Sequence, residues 1–233
     1  MKWESFESYD ALSARAAELL LNALHVEPRI VLGLPTGRSP IGMYDRVVAI
    51  CSREYHCFSD VTTFNLDEYA GISCDHPGSY CTYMREHLFE HVDLDPRQTH
   101  IPDGIAPDLD AECARYEKAI RHAGGLGLTF LGLGRNGHIG FNEPGTPFDS
   151  RTRVVTLAPS TRAANARYFA DNQVPEQAIT MGIGTILESR SIVLLVSGDG
   201  KESAVARLKS SEVSEAFPAS ALHLHGNVLV LAS

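Results

Sequence analysis

The sequence predicts a single α/β domain, residues 1–233, with a mostly parallel sheet and helices on both faces. Three observations predict it. Short apolar runs rich in β-branched residues alternate with longer stretches whose apolar residues recur at helical spacing, as parallel strands and crossover helices do. The chain has 233 residues, 44% of them hydrophobic, enough for one large core, and no linker, repeat or low-complexity run divides it. A glycine-rich segment directly follows one of the apolar runs, and in such folds ligands bind where strands end.

The elements follow in order. Residues 8–25 put Leu12, Ala16, Leu19, Leu20 and Ala23 on one side of a helix. Residues 29–33 form a short buried strand, and Ile41 to Arg53 a helix with Ser39 as its N-cap and Pro40 in its first turn. Residues 61–66, β-branched and bounded by polar loops, read as a strand. Residues 80–92 and 109–123 read as helices and 126–133 as a strand. Strands at 152–157, 191–196 and 227–232, with helices near 161–170 and 200–209, complete the alternation.

Composition excludes several functions. A net charge of −9 makes nucleic acid and anionic membranes poor partners. No apolar stretch reaches the ~18 residues of a membrane helix. The start, Met1-Lys-Trp-Glu-Ser5, lacks a signal pattern, so the expected location is the cytoplasm. Cysteines 51, 57, 74, 81 and 113 form no Cys-x-x-Cys pair, which predicts reduced, buried thiols and neither disulfide frame nor zinc site. Positive charge is concentrated instead: Arg151, Arg153, Arg162 and Arg167 occur with no acidic residue between them, and Lys201 is one of few lysines. An acidic protein that binds an anionic metabolite needs such a cluster; a solvated helix face is the plain alternative.

Three segments carry chemistry. Leu131-Gly-Leu-Gly-Arg-Asn-Gly-His-Ile-Gly-Phe-Asn-Glu-Pro144 ends a strand in a tight loop bearing His138 and Glu143, natural proton-transfer partners near neutral pH. It satisfies G-x-G-x-x-G by letter count, but Gly140 and Pro144 preclude the helix that a dinucleotide site requires. Leu32-Gly-Leu-Pro-Thr-Gly-Arg-Ser-Pro40 is strand, turn and helix start, so exposed N–H groups there suit a phosphate; no Gly-Lys-Ser/Thr makes it a Walker loop. Asp67 and Glu68 follow a strand, and adjacent residues on an extended chain face opposite sides, so at most one enters a cleft. His223 and His225 would share a strand face as metal ligands can, but no acid or cysteine accompanies them; a packed or hydrogen-bonded pair is the better reading.

The segment Gly134–Pro144 resembles the signature of glucosamine-6-phosphate deaminases. Gly33–Pro40, Phe64-Asn-Leu-Asp-Glu-Tyr69, Ser150-Arg-Thr-Arg153 and Ile179–Leu187 resemble further blocks of that family, in its order, across about residues 30–201. The resemblance implies a three-layer Rossmann-like domain and conversion of glucosamine 6-phosphate and water to fructose 6-phosphate and ammonia. It implies Asp67 as the base at C2, with His138 and Glu143 opening the ring. Asn136 stands where the large allosteric members carry aspartate, as in the short-chain branch. Thr36, Gly37, Arg38, Ser39, Arg167 and Lys201 match phosphate contacts. No cofactor or metal is implied, since amine and carbonyl supply the electron sink, and the small-molecule substrate is the expected partner of a monomer or low-order homo-oligomer. Val155 at an effector lysine position, Thr146-Pro147 for a serine pair, and an end at Ser233 without a tail lead to an expectation of no allosteric activation. Two rival readings stand beside it: a 6-phosphogluconolactonase-like hydrolase, whose motif continues toward Ser-Leu-Phe-Pro rather than Phe141-Asn-Glu-Pro144, and a non-catalytic sugar-phosphate sensor, which would have no use for Asp67, His138 and Glu143 together. Preference between the glucosamine and galactosamine epimers is not written in the residues.

Overall fold

The computed structural model describes residues 1–53, 58–169 and 173–233. Seven parallel strands form the central sheet in the order β1 (Lys2–Ser5), β10 (Val228–Ala232), β9 (Ser191–Val196), β6 (Leu128–Gly132), β2 (Val31–Leu34), β3 (Thr62–Asn65) and β5 (Thr99–His100). Pairing is parallel throughout, with Leu131 opposite Leu194 and Gly33 opposite Phe64, for example. Alternate residues of each strand feed opposite cores. In β9, Ile192, Leu194 and Val196 enter one cluster, while Val193 and Leu195 enter the other. The first cluster is closed by α4 (Leu109–His122), α6 (Ile183–Leu187) and α7 (Glu202–Lys209). The second is closed by α1 (Tyr9–Val26), α2 (Ile41–Cys51) and α3 (Tyr80–His87). These are the three layers that the alternation of strands and helices predicts.

A second, three-stranded antiparallel sheet stands apart, in the order β4 (Asp67–Tyr69), β8 (Gln177–Thr180), β7 (Arg153–Thr156). The expected strand near 152–157 therefore exists but belongs here, since its half-buried residues suit a sheet with one solvated face. Tyr69, Phe141, Leu157, Phe169, Val174 and Ala178 form the small core beneath it. Glu117 of α4 ties this sheet to the main body. Its carboxylate accepts hydrogen bonds from Thr152 N and Oγ1 (2.9 and 2.6 Å), Thr185 Oγ1 (2.6 Å) and Arg151 (2.6 Å).

Several expectations need correction. The helix near 80–92 stops at His87, because Leu88 leaves helical backbone (φ −145°) and buries its side chain; a 3₁₀ turn, Phe89–His91, follows. The helix near 161–170 is α5 (Pro159–Asn165) with a 3₁₀ turn, Ala166–Tyr168, and residue 170 lies outside the described residues. Ser39 does not cap α2. Pro40 occupies that position, and the Tyr9 hydroxyl accepts the Gly42 N–H instead (2.8 Å). His223 and His225 lie in and just after a 3₁₀ helix, Pro218–Leu224, not on a strand; their Nε2 atoms bond the Leu208 and Ser189 carbonyls (2.7 and 2.6 Å). The cysteines depart most: Cys74 and Cys81 are joined as a disulfide, and both approach the surface because a polar loop leads into α3 there. Cys113 is buried as expected, Cys51 is half-buried, and Cys57 lies outside the described residues.

Candidate functional site

The carboxyl ends of four neighbouring strands, β9, β6, β2 and β3, lead into the segments beginning at Ser197, Leu133, Pro35 and Leu66. Parallel order puts all four on one edge of the sheet. The chain leaves β2 toward β3 on one side and returns to β6 on the other, which is where open α/β sheets leave a crevice.

Asp67 opens β4 and pairs with Thr180 of β8. Both Asp67 and Glu68 are buried, with 5% and 2% of their surface exposed. They point to opposite sides, as an extended backbone requires. Glu68 is committed to the backbone, accepting the N–H groups of Tyr69, Tyr80 and Cys81 at 2.8, 3.0 and 2.9 Å. Asp67 instead faces the glycine-rich loop: a Cβ on Gly140 would stand 3.3 Å from its Oδ2. Burial, and secondarily the Glu68 charge, raises the Asp67 carboxyl to about 8. Burial likewise raises Glu68, to about 7. A proton-avid carboxylate at a crevice is the electrostatic profile of a carbon-acid base.

The loop after β6 is built on two tight glycines. Gly137 has φ +87°, and a Cβ there would meet the Phe217 ring at 2.1 Å; a Cβ on Gly134 would meet the His138 ring at 2.3 Å. His138 is held by Asn136 rather than directly by a carboxylate. Its Nδ1 lies 2.8 Å from Asn136 Oδ1, and Glu143 Oε1 is 3.8 Å away. Asn136 Nδ2 donates to Glu143 Oε2 (2.6 Å), and Thr161 Oγ1 donates to Glu143 Oε1 (2.6 Å). Because the Glu143 carboxylate demands donors, the Asn136 amide is oriented with its oxygen toward His138. That assigns the proton to Nδ1 and leaves Nε2 as the exchangeable nitrogen. Burial lowers the His138 pKa, Glu143 opposes that, and Lys201 reinforces it. The ring is thus mainly neutral at pH 7.

The turn after β2 faces the start of α7. Lys201 Nζ is 3.4 Å from Ser39 Oγ, which is 3.5 Å from Ser197 Oγ. Burial, then the Arg135 charge, lowers Lys201 to about 8. Gly37 holds φ +87°, and its carbonyl accepts the Tyr83 hydroxyl (2.6 Å). Thr36 hydrogen-bonds Tyr80. Arg38 is exposed and takes part through its carbonyl, which accepts the Tyr9 hydroxyl (3.1 Å).

Asp67, Asn136, His138 and Glu143 are thereby brought to one sheet edge, with Thr36, Gly37, Ser39 and Lys201. Arg167 is not gathered with Lys201: it is exposed, and its guanidinium bonds the Tyr168 hydroxyl (2.9 Å) and lies 4.8 Å from that ring's centre. Sequence reasoning missed Thr161, the hydroxyl on Glu143, Ser197 beside Ser39, and Arg135, whose charge bears on Lys201. A threonine in a short helix and a serine after a strand carry no distinguishing pattern. Among the described residues no group of three or more His, Cys, Asp or Glu side chains is placed to hold a metal ion.

Fold and side chains define a class: a parallel α/β protein with a buried, proton-avid carboxylate, a histidine linked through an asparagine to a glutamate, and a lysine beside the turn after β2, along one edge of the sheet. The family profile described as glucosamine-6-phosphate isomerases/6-phosphogluconolactonase matches residues 4–230. The chain is 51% identical to a glucosamine-6-phosphate deaminase of Shouchella clausii over 227 residues, 97% of this chain and 92% of the relative. It is 50% identical to glucosamine-6-phosphate deaminase 1 of Bacillus subtilis over 232 residues, 99% and 96% respectively. A solved monomeric glucosamine-6-phosphate deaminase, 50% identical, superposes with a TM-score of 0.97 over 100% of this chain and 97% of that one. A 6-phosphogluconolactonase of Thermotoga maritima shares the fold alone, at 18% identity and a TM-score of 0.76 over 100% and 99% of the two chains. The chain belongs to the glucosamine-6-phosphate isomerase/6-phosphogluconolactonase family.

Proposed function

We propose that this protein is a glucosamine-6-phosphate deaminase, converting glucosamine 6-phosphate and water to fructose 6-phosphate and ammonia. The observation that carries the reading is the meeting of Asp67 with the His138 loop at Gly140, along the same sheet edge as the Lys201–Ser39 pair. Lys201 and Ser39, with the N–H groups of the turn at Thr36–Ser39, hold the phosphate, and Arg167 approaches it from the outer helix when substrate is bound.

Ring opening moves a proton from the anomeric hydroxyl to the ring oxygen. Neutral His138 takes it on Nε2 and returns it, while Asn136 and Glu143 fix the tautomer and steady the transient imidazolium. Asp67 then removes the C2 proton of the open-chain aldehyde and delivers it to C1. Water adds to the C2 imine so formed, and ammonia leaves. Burial serves this step, because a carboxylate with raised proton affinity is the stronger base once ionised. A lactonase would give Asp67 no proton to abstract from carbon, and a sensor would need none of the three groups. No helix among the described residues is long and apolar enough to cross a membrane. We read the protein as a cytoplasmic enzyme, monomeric or a low-order homo-oligomer, without nucleic-acid or membrane partners. Ammonia release from glucosamine 6-phosphate and from its galactosamine epimer tests the reading. Release from the gluco epimer supports it, and release from neither overturns it.

A further inference from the structure

The loop from Gly71 to Ser79 joins β4 to α3 and touches two parts of the candidate site. At its far end, the N–H groups of Tyr80 and Cys81 hold the Glu68 carboxylate, and Glu68 adjoins Asp67 in the chain. In its middle, His76 lies 5.5 Å from the Phe169 ring, and a Cβ on Gly78 would stand 2.7 Å from that ring. Phe169 closes the segment that carries Thr161 and Arg167. The loop is therefore a common seat for the base and for the helix over Glu143.

Cys74 and Cys81 close this loop across seven positions, with Cα atoms 5.0 Å apart, within the usual span of a disulfide. Their setting favours thiol chemistry. Cys74 is exposed, and Arg85 Nη2 stands 2.8 Å from its sulfur and 3.6 Å from that of Cys81. Cys81 also lies in the first turn of α3, whose N-terminal dipole favours a thiolate. Cys113 makes the contrast: it is buried, and its thiol is pushed up to about 11.

We propose that Cys74 and Cys81 are a reversible thiol–disulfide site for a low-molecular-weight disulfide, and that their bond fastens the loop that seats Glu68 and Phe169. The exchange balances. The Cys74 thiolate, beside Arg85, attacks one sulfur of the small disulfide, forming a mixed disulfide and releasing one small thiolate. Cys81 then loses its proton, and its sulfur attacks Cys74 and expels the second small thiolate. Two protein thiols are oxidised by two electrons, one small disulfide is reduced to two thiols, and the two protons end on those thiols. Reduction leaves the loop on its remaining contacts: hydrogen bonds from the Ser79 and Thr82 hydroxyls to the Cys74 carbonyl at 2.9 Å each, the Arg85–Asp75 ion pair at 2.8 Å, and the packing of His76 and Gly78 on Phe169. It loosens without detaching.

The test equilibrates the native protein with mixtures of reduced and oxidised glutathione, alkylates free thiols, and cleaves after Tyr80, which separates the two cysteines. Linked peptides that dominate at the oxidising end and vanish at the reducing end are expected. Alkylated Cys74 and Cys81 throughout, or glutathione adducts alone, would overturn the proposal. Arg85→Ala should slow disulfide closure several-fold, and an unchanged rate would contradict the role given to Arg85. Hydrogen exchange at residues 71–79 and at Phe169 should quicken on reduction of the wild type. Exchange indifferent to redox state would overturn the fastening. The effect on catalysis rests on the function proposed above: reduction should raise KM for glucosamine 6-phosphate roughly fivefold, the cost of re-ordering about one residue on binding, and Cys74→Ser should show the reduced value in both buffers. Equal KM values in both states overturn the catalytic link, whereas absent deaminase activity in both counts against the function and leaves the peptide and exchange results to decide the site.

Discussion

Asp67 and Glu68 show how much two adjacent letters can differ once folded. Both are buried acids, yet one spends its oxygens on three backbone N–H groups and the other keeps them for the crevice. Their raised proton affinities work against folding as pH rises. A carboxyl whose folded pKa exceeds its unfolded value retains its proton in the native state, so stability falls from about pH 4 toward pH 8. Asp67→Asn removes one such group. The variant should be more stable than wild type at pH 8, by on the order of a few kcal/mol, and should gain little at pH 4; thermal melts at the two pH values check this. Activity has the opposite slope. The kcat/KM of the free enzyme should climb as Asp67 ionises around pH 8 and fall as Lys201, also near 8, loses its charge. A narrow bell centred near pH 8 is expected, and in kcat the alkaline limb should move upward because bound phosphate holds the lysine proton. Lys201→Ala should weaken glucosamine 6-phosphate roughly tenfold or more without weakening unphosphorylated glucosamine. Equal losses for both sugars would place Lys201 in the fold or against the sugar ring.

At the scale of elements, Glu117 is the main tie between α4, β7 and α6. Its replacement by alanine leaves Thr152, Thr185 and Arg151 without their shared acceptor. A loss of about 3 kcal/mol in denaturant unfolding is expected, the scale of breaking a buried charged network, together with lower activity because β7 pairs with β8, on which β4 is registered. The elements also show what could be read from the sequence. Strands β2, β6, β9 and β10 were legible because a parallel sheet covered on both faces demands continuous apolar runs. Strands β1, β4, β5 and β8 were not: they are two to four residues long and owe their pairing to partners distant in sequence. The site followed the same division. His138, Glu143 and Asp67 stand at strand ends, where sequence position alone suggests a cleft. The Asn136 bridge, Thr161 and the detachment of Arg167 depend on loop geometry that no local pattern encodes. The Cys74–Cys81 pair was missed because a spacing of seven across a loop has no signature, and reduced thiols were the default reading.

The molecule as a whole places a short acid–base constellation on a widely shared scaffold. The 6-phosphogluconolactonase fold likeness at 18% identity carries no chemistry with it. Regulation is where this chain should differ from larger allosteric deaminases. Arg153 is engaged internally, donating to Asn142 Oδ1 (2.9 Å) and Thr146 Oγ1 (3.3 Å), and Val155 packs against the small core. An anionic effector would find one arginine, already occupied, where coupling of ~1–3 kcal/mol has to arise. Substrate saturation should therefore be hyperbolic and unchanged by N-acetylglucosamine 6-phosphate. Sigmoidal curves that this sugar phosphate straightens would contradict that expectation.

The central claim is that Asp67 carries the C2 proton. The most direct measurement follows exchange of the C2 hydrogen of glucosamine 6-phosphate with deuterated solvent, in wild type and Asp67→Asn, alongside substrate binding. The account predicts intact binding in the variant, with exchange and ammonia release both falling by ~10²–10⁴-fold. C2 exchange at the wild-type rate in Asp67→Asn would contradict it and move the base to another residue.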